Sequence, residues 1–437
     1  HLISWDDSED YSDGFWVTIE DIEEATGEDG SRSPPISGNT LSFGDPNDVG
    51  DPGDNVRLRR IGVGDLDGDG DLDLITGSDD ANTDYEIVIW QNDGTPFSGT
   101  WSSNNVGTVA DEVETVKAAD FDNDGDLDIF TTCKDGADYE VMVWQNDGSP
   151  FSGTWSSNNV GNPDEHVEVG DFGDVDNDGD LDIVISILSE ASYQLIVYEN
   201  DGSPFSGTWS SNNVGNPEPS YHSHFADLDN DGDLDIASTH SSNEDYAVIV
   251  WQNDGTPFSG TWSSNDVGDP SGNPASAVGL DTGDIDNDGD IDIMITTESG
   301  ADYEVIVWQN DGSPFSGTWT ENGVGSTVQN SDMAKLGDFD LDGDLDIVSI
   351  DAAGDVDVWQ NDGTPFSGTW SQISVGTSTT AIAHVEVGDL DNDGDLDIAV
   401  ATYSAEDYDV IVWENTLIHR KYHHWPTAGT DIDDTNP

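Results

Sequence analysis

A nine-residue acidic pattern, Asp-x-Asp-x-Asp-Gly-Asp-x-Asp, returns seven times along this chain, at intervals of 55, 54, 53, 57, 54 and 51 residues. Self-similarity at such a period marks an architecture built from one repeated supersecondary unit, so it constrains the fold more than any local propensity does. Two further markers keep the same period. Trp-Gln-Asn-Asp-Gly begins at Trp90, Trp144, Trp251, Trp308 and Trp359, with variants at Tyr198 and Trp413. Phe-Ser-Gly-Thr-Trp ends at Trp101, Trp155, Trp209, Trp262, Trp319 and Trp370.

The second unit shows how each repeat reads. Val113 to Ala119 predicts a first strand, the acidic loop follows, and Leu127 to Thr132 predicts a second. Tyr139 to Trp144 predicts a third strand with bulky groups on both faces, as in a sheet covered on both sides. Asn146-Asp147-Gly148 starts a turn, and Thr154 to Asn158 predicts a fourth strand. Four short strands per repeat predict an all-β fold, a seven-bladed β-propeller with four-stranded blades and the acidic loop between the first and second strands. A β-solenoid is the competing architecture. Only Gly or Ala precedes each motif (Gly64, Ala119, Gly173, Ala226, Gly283, Gly337, Gly388), which suits first strands converging on an axis. The propeller is expected over 56–425, after an acidic arm at 1–55 and before a tail at 426–437. The seventh repeat lacks Phe-Ser-Gly-Thr-Trp, so its fourth strand must come from elsewhere. Leu417 to Trp425 and Gly14 to Ile19 are the two candidates.

The candidate metal ligands are the loop carboxylates. They are Asp65, Asp67, Asp69, Asp71 and Asp73, then Asp120, Asp122, Asp124, Asp126 and Asp128, and in the third loop Asp174, Asp176, Asp178, Asp180 and Asp182. The fourth holds Asp227, Asp229, Asp231, Asp233 and Asp235, and the fifth Asp284, Asp286, Asp288, Asp290 and Asp292. The sixth holds Asp338, Asp340, Asp342, Asp344 and Asp346, and the seventh Asp389, Asp391, Asp393, Asp395 and Asp397. Five carboxylates in nine residues repel one another unless a cation shares them. Calcium takes roughly six to eight oxygens in irregular geometry, whereas magnesium demands a near-octahedral shell. Carboxylates at loop positions 1, 3 and 5 can converge, the Gly at 6 permits the turn, position 7 offers a carbonyl and position 9 closes the site. About seven structural Ca2+ ions, one per blade, are expected. An EF-hand is excluded, because position 12 is Thr76, Thr131, Ile185, Ser238, Ile295, Ser349 or Val400 and never Glu.

With these loops and this period, the chain resembles the FG-GAP/VCBS family of calcium-loop propellers, related to the integrin α-subunit head, over roughly 56–425. The resemblance implies loops on the lower face of the propeller. It implies no single activity, since members include adhesins, lectin-like modules and a few polysaccharide lyases.

Charge narrows the functions. Ninety-four Asp and Glu face nine Lys and Arg, a formal charge of −85. Binding to nucleic acid or to an anionic bilayer by electrostatics has the wrong sign. Such acidity suits a haloarchaeal-type surface in high salt, where the Debye length is about 3 Å at 1 M. Cys133 is the sole cysteine, so no intrachain disulfide forms, and it reads as a buried small residue. No apolar run of ~20 residues is present to span a membrane. The start at His1 reads as a mature form after signal-peptide removal, hence extracellular or cell-surface.

The scarce cations form two clusters. Arg57, Arg59, Arg60, Lys117 and Lys335 lie in first-strand segments with His166, His222, His224 and His384, and the second cluster is His419 to His424. They are read as contact sites for an acidic surface of another copy or, alternatively, as internal neutralisation of the axis. His222 and His224 share a strand face, as a metal pair would need, though ordinary channel histidines look the same. No sequence motif for catalysis emerges, so a non-enzyme is expected. The favoured role is structural or adhesive, self-assembling as a filament or layer through the terminal arm and C-terminal segment. A carbohydrate- or protein-binding module is second; exposed repeat tryptophans could stack on sugars, although most are better read as inter-blade packing. A polysaccharide lyase ranks last, because the acidic surface repels acidic polysaccharide.

Overall fold

The computed structural model describes residues 41–50, 56–79, 86–109, 111–134, 140–163, 166–188, 195–215, 220–240, 247–270, 277–297, 304–327, 331–403 and 410–417. These form seven four-stranded antiparallel sheets, the blades of a propeller. Blade 2 runs Val113–Ala119, Asp128–Cys133, Val141–Gln145 and Ser156–Gly161, each strand within three residues of its predicted start and finish. The inner strands of the other blades are Leu58–Gly64, Val167–Gly173, Ser220–Ala226, Ala277–Gly283, Ser331–Gly337 and Ile382–Gly388. Each touches the inner strand of the next blade, and the seventh returns to the first. This closure excludes the solenoid.

Burial follows from radial packing. Every second strand is buried along its whole length, which is why these segments lack alternating polarity. Outer strands alternate and expose Ser and Asn, burying one Val each in most blades. Hydrophobic clusters form between blades; Cys133, fully buried, lies in the one joining blades 1 and 2. No Trp is exposed among the described residues; Trp262 and Trp319 are buried, and Trp101, Trp155, Trp209 and Trp370 pack against inter-blade clusters. These rings pack between blades, the reading preferred for most of them over sugar platforms.

Two glycine positions explain the docking. A Cβ on Gly107 would sit 2.2 Å from the Trp144 ring of the next blade, and one on Gly215 would sit 2.2 Å from Trp251. The outer strand thus ends on a glycine so that the neighbour's third-strand aromatic can lie across it. The small residue before each acidic motif has a related cause. A Cβ on Gly173 would meet Leu234 Cδ1 at 2.7 Å, and one on Gly388 would meet Leu72 Cδ1 at 2.8 Å. The apolar residue at loop position 8 of the next blade occupies that space.

The seventh blade is completed by Asn47–Gly50, which pairs antiparallel with Val410–Trp413. This strand lies within the 1–55 arm, read from the sequence as a strand donor or contact segment. Its geometry repeats the other outer strands: Val49 is buried, Gly50 meets the Trp90 ring, and Asn47 Nδ2 donates to the Pro96 carbonyl at 2.8 Å as Asn104 does to Pro150. The proposed donors Gly14 to Ile19 and the stretch after Leu417 lie outside the described residues, as does the cluster His419 to His424.

Candidate metal centres

Each acidic loop turns tightly because its first Asp caps its own backbone. Asp65 Oδ1 accepts the Asp69 N–H at 3.1 Å and Oδ2 the Gly70 N–H at 3.0 Å. Asp69 Oδ1 in turn accepts the Asp71 N–H at 3.0 Å. Gly70 has φ of 97°, the left-handed region a glycine tolerates. The same contacts recur in the other six loops, for example at Asp227 and Asp389.

Positions 1, 3 and 9 converge. Oxygens of Asp65, Asp67 and Asp73 lie within 4.8 Å of one another, as do those of Asp120, Asp122 and Asp128, of Asp174, Asp176 and Asp182, and of Asp227, Asp229 and Asp235. The position-9 Asp is fully buried in all seven loops. Asp73 accepts the Leu66 N–H through Oδ2 and the Asn92 N–H through Oδ1. Positions 5 and 7 are engaged differently: Asp69 is exposed, while Asp71 Oδ1 receives Asn392 Nδ2 of the preceding blade at 2.8 Å.

The donor set fits a hard divalent cation. One position-3 oxygen is buried without a hydrogen-bond partner at Asp67, Asp122, Asp176, Asp229, Asp286 and Asp391. Those orphaned oxygens lie beside a cluster of carboxylate oxygen alone, the chemistry calcium selects. Burial, with neighbouring carboxylates adding to it, pushes the position-9 acids up to about 7 at Asp73 and Asp128 and about 8 at Asp182, Asp235, Asp292, Asp346 and Asp397. Without a cation, these groups resist ionisation at neutral pH.

Several supporting residues were not read from the sequence. The Asn of each Trp-Gln-Asn-Asp-Gly segment is more than a turn former. Asn253 donates through Nδ2 to Leu234 O in its own loop and to Val175 O in the preceding blade's loop, and its N–H bonds Asp235. All seven such asparagines bond the preceding loop, closing the circle with Asn92 on Leu390 O. The Gln before it donates to the position-3 carboxylate, as Gln91 does to Asp67 at 2.7 Å. Glu199 and Glu414 replace it in blades 3 and 7, setting a further carboxylate beside Asp176 and Asp391. The internal invariance of that Asn was the available signal.

The axis holds the described cations. Arg59 Nε and Arg60 Nη2 meet Glu114 Oε2 at 2.7 and 2.9 Å, Lys117 meets Asp171 at 2.7 Å and Lys335 meets Glu386 at 2.9 Å. Arg57 and Lys134 also face Asp79 and Glu112. The first cluster fits the alternative of internal neutralisation: every described Lys and Arg has an acidic partner, mostly on the next blade. Burial alone would raise Glu114, but Arg60, His166 and Arg59 hold it below the usual range. His222 and His384 are buried, and burial with the field of Arg60, Lys117 and Lys335 keeps both imidazoles neutral. His224, the other half of the sequence-predicted pair, bonds Thr282 through Nδ1 at 2.8 Å. Above this ring a cavity of about 410 Å³ is lined by Arg59, Glu168, Tyr221, His222, Met333 and Tyr403, among others.

The FG-GAP-like repeat family matches residues 65–131, 120–185, 174–238, 227–295 and 338–400, together more than half of the chain. Each window runs from the first Asp of one loop to position 12 of the next. No match was found among curated proteins. Among solved structures, a lectin from Agrocybe aegerita, described for specific recognition of non-reducing terminal N-acetylglucosamine, is similar at 18% identity and TM-score 0.51, over 75% of this chain and 82% of its own. BBS1N in complex with ARL6DN is similar at 10% identity and TM-score 0.52, over 86% of this chain and 96% of its own. At such identities the likeness is one of fold.

Proposed function

The chain belongs to the FG-GAP-like repeat family, and on that footing we propose that it is a calcium-stabilised, non-catalytic propeller of the cell surface or extracellular space with a structural or adhesive role. The observation that carries the calcium part is the buried, unpartnered oxygen at position 3 of six loops, set against two further carboxylates. When bound, calcium would supply the positive charge that lets the carboxylates at positions 1, 3 and 9 be ionised together. The chain's own residues then fix the result: the buried Asp orients its loop through two backbone N–H groups, and the Asn beside it ties that loop to the preceding blade. Seven near-identical loops suit a scaffold better than a reaction centre.

Self-assembly belongs to the same proposal, through the terminal stretches 1–40 and 418–437, which lie outside the described residues. Electron microscopy of the full chain in high salt with calcium tests it against a variant lacking residues 1–40. Ordered polymers from the full chain alone are expected; dispersed single propellers from both would overturn the assembly role.

One observation favours a second reading as a carbohydrate- or protein-binding module. The cavity at the channel mouth presents Tyr221 and Tyr403, with the Arg57 guanidinium 5.4 Å from the Tyr403 ring centre. A concave site that sets two tyrosines beside Arg59, Arg60 and Glu168 suits a small polar ligand. A glycan array read with wild type and Tyr403→Ala decides this: binding lost in the variant supports it, and no binding by the wild type removes it.

A further inference from the structure

One cluster at the axis differs in chemistry from the acidic loops. Glu114 lies on the inner strand of blade 2, and His166 and Glu168 lie at the start of the inner strand of blade 3. Both strands shift register there, between Val113 and Thr115 and between Val167 and Gly170. Such bulges re-aim side chains, here into the channel wall. One ligand atom from each residue lies within 4.8 Å of the others. His166 Nε2 is 3.0 Å from Glu168 Oε1 and 3.9 Å from Glu114 Oε1.

The Glu114 carboxylate is divided in function. Its Oε2 receives Arg59 and Arg60, which fixes its orientation, whereas Oε1 accepts no hydrogen bond although the side chain is fully buried. His166 Nε2, buried, stands 3.0 Å from Glu168 Oε1 as an ion pair outside hydrogen-bond geometry. An oriented carboxylate with its second oxygen held by outer partners is how ligands are presented to a metal. Glu168, though largely buried, borders the channel cavity.

We propose that Glu114, His166 and Glu168 form a metal site of a second kind, taking a zinc-like divalent cation through one imidazole nitrogen and two carboxylate oxygens. Nitrogen in the donor set separates it from the calcium loops. Three protein ligands leave a tetrahedral cation one position for an exogenous group. An imidazolium proton exchanged for a divalent cation adds a single positive charge, beside the carboxylates of Glu114 and Glu168 and next to the Arg59 and Arg60 guanidiniums. This site is independent of the calcium reading, because calcium disfavours imidazole.

The test uses the full chain saturated with calcium, so that the loops are filled, and Co2+ as the probe. One equivalent of Co2+ with visible ligand-field bands is expected, with the bands lost in His166→Ala and affinity at least tenfold weaker in Glu168→Gln. The calcium-bound melting transition of each variant checks that it folds. Crystals grown in calcium and soaked in Co2+ give a readout that needs no variant. Anomalous density between these three side chains supports the site. Density confined to the acidic loops, or the same bands in His166→Ala, would overturn it and leave the cluster an ion pair alone.

Discussion

The fourth loop position shows how a single residue serves the ring. The backbone there is left-handed at Asn123, Asn177, Asn230, Asn287, Leu341 and Asn392, with φ between 56° and 60°. Asparagine tolerates that region and leucine resists it. Each of these asparagines also donates to the next loop, as Asn287 does to Gly343 O and Asp344 Oδ1. Leu341 can do neither, and Asp395 Oδ1, in the acceptor place it faces by register, is buried and unpartnered. Leu341→Asn is therefore expected to stabilise the protein by about 1–2 kcal/mol, from one hydrogen bond and relieved strain. Urea denaturation reads it, and an unchanged or lower midpoint contradicts the account. Position 12 was used in the sequence only to exclude an EF-hand, yet it has a task. Thr76, Thr131, Ser238 and Ser349 accept the indole N–H of Trp90, Trp144, Trp251 and Trp359. Where Ile295 stands, Trp308 Nε1 has no partner. Thr131→Val should then cost about 1–3 kcal/mol by orphaning a buried donor, measured by the same denaturation. Such pairings escape a linear reading because the partners sit on adjacent strands, with the side-chain contact set by register.

At the scale of strands and loops, third strands were legible because their apolar runs are nearly continuous, and inner strands because each ends at the acidic motif. The closing strand was not, although its signal was present. Asn47-Asp48-Val49-Gly50-Asp51-Pro52 repeats Asn265-Asp266-Val267-Gly268-Asp269-Pro270 residue for residue. The missing Phe-Ser-Gly-Thr-Trp lead-in hid it, since that segment forms the turn between third and fourth strands and a strand arriving from the other end of the chain needs no turn. This joining of the two ends makes Asn47–Gly50 the latch of the ring. A Cβ on Gly50 would lie 2.5 Å from Trp90 Cζ3, whereas one on Gly44 meets nothing closer than 3.6 Å. Gly50→Val is expected to lose about 1–3 kcal/mol by overpacking and to open the ring to protease between blades 7 and 1. Gly44→Ala is the matched control and should melt with the wild type. Equal protease resistance of the two variants would mean that the latch does not hold the ring.

For the whole molecule, the period made the propeller and its loops readable, while the axis was not. Arg59 and Glu114, or Lys117 and Asp171, stand 55 and 54 residues apart and meet only because consecutive blades superpose their inner strands. The resulting division of charge, cations at the axis and carboxylates in a ring of loops, sets how stability depends on pH. An unfolded Asp titrates near 3.9, roughly, while the buried position-9 acids hold their protons to about 7 or 8. A folded pKa raised above the unfolded one contributes stability that is full below the unfolded value and lost as pH rises through the folded value. Chelated protein is therefore expected to melt at progressively lower temperature between pH 4 and pH 8, roughly the window these shifts span. Calcium reverses the slope, because it binds the ionised ligands and must displace those same protons. At a hundredfold excess over its dissociation constant each filled loop adds about 2.7 kcal/mol, comparable over seven loops to the entire stability of an ordinary domain. Melting curves at constant high salt, with calcium and with chelator across that range, should cross, the calcium-bound form gaining on the other with each unit of pH. Parallel curves would show that the position-9 carboxylates neither keep their protons in the cation-free fold nor hold the ion.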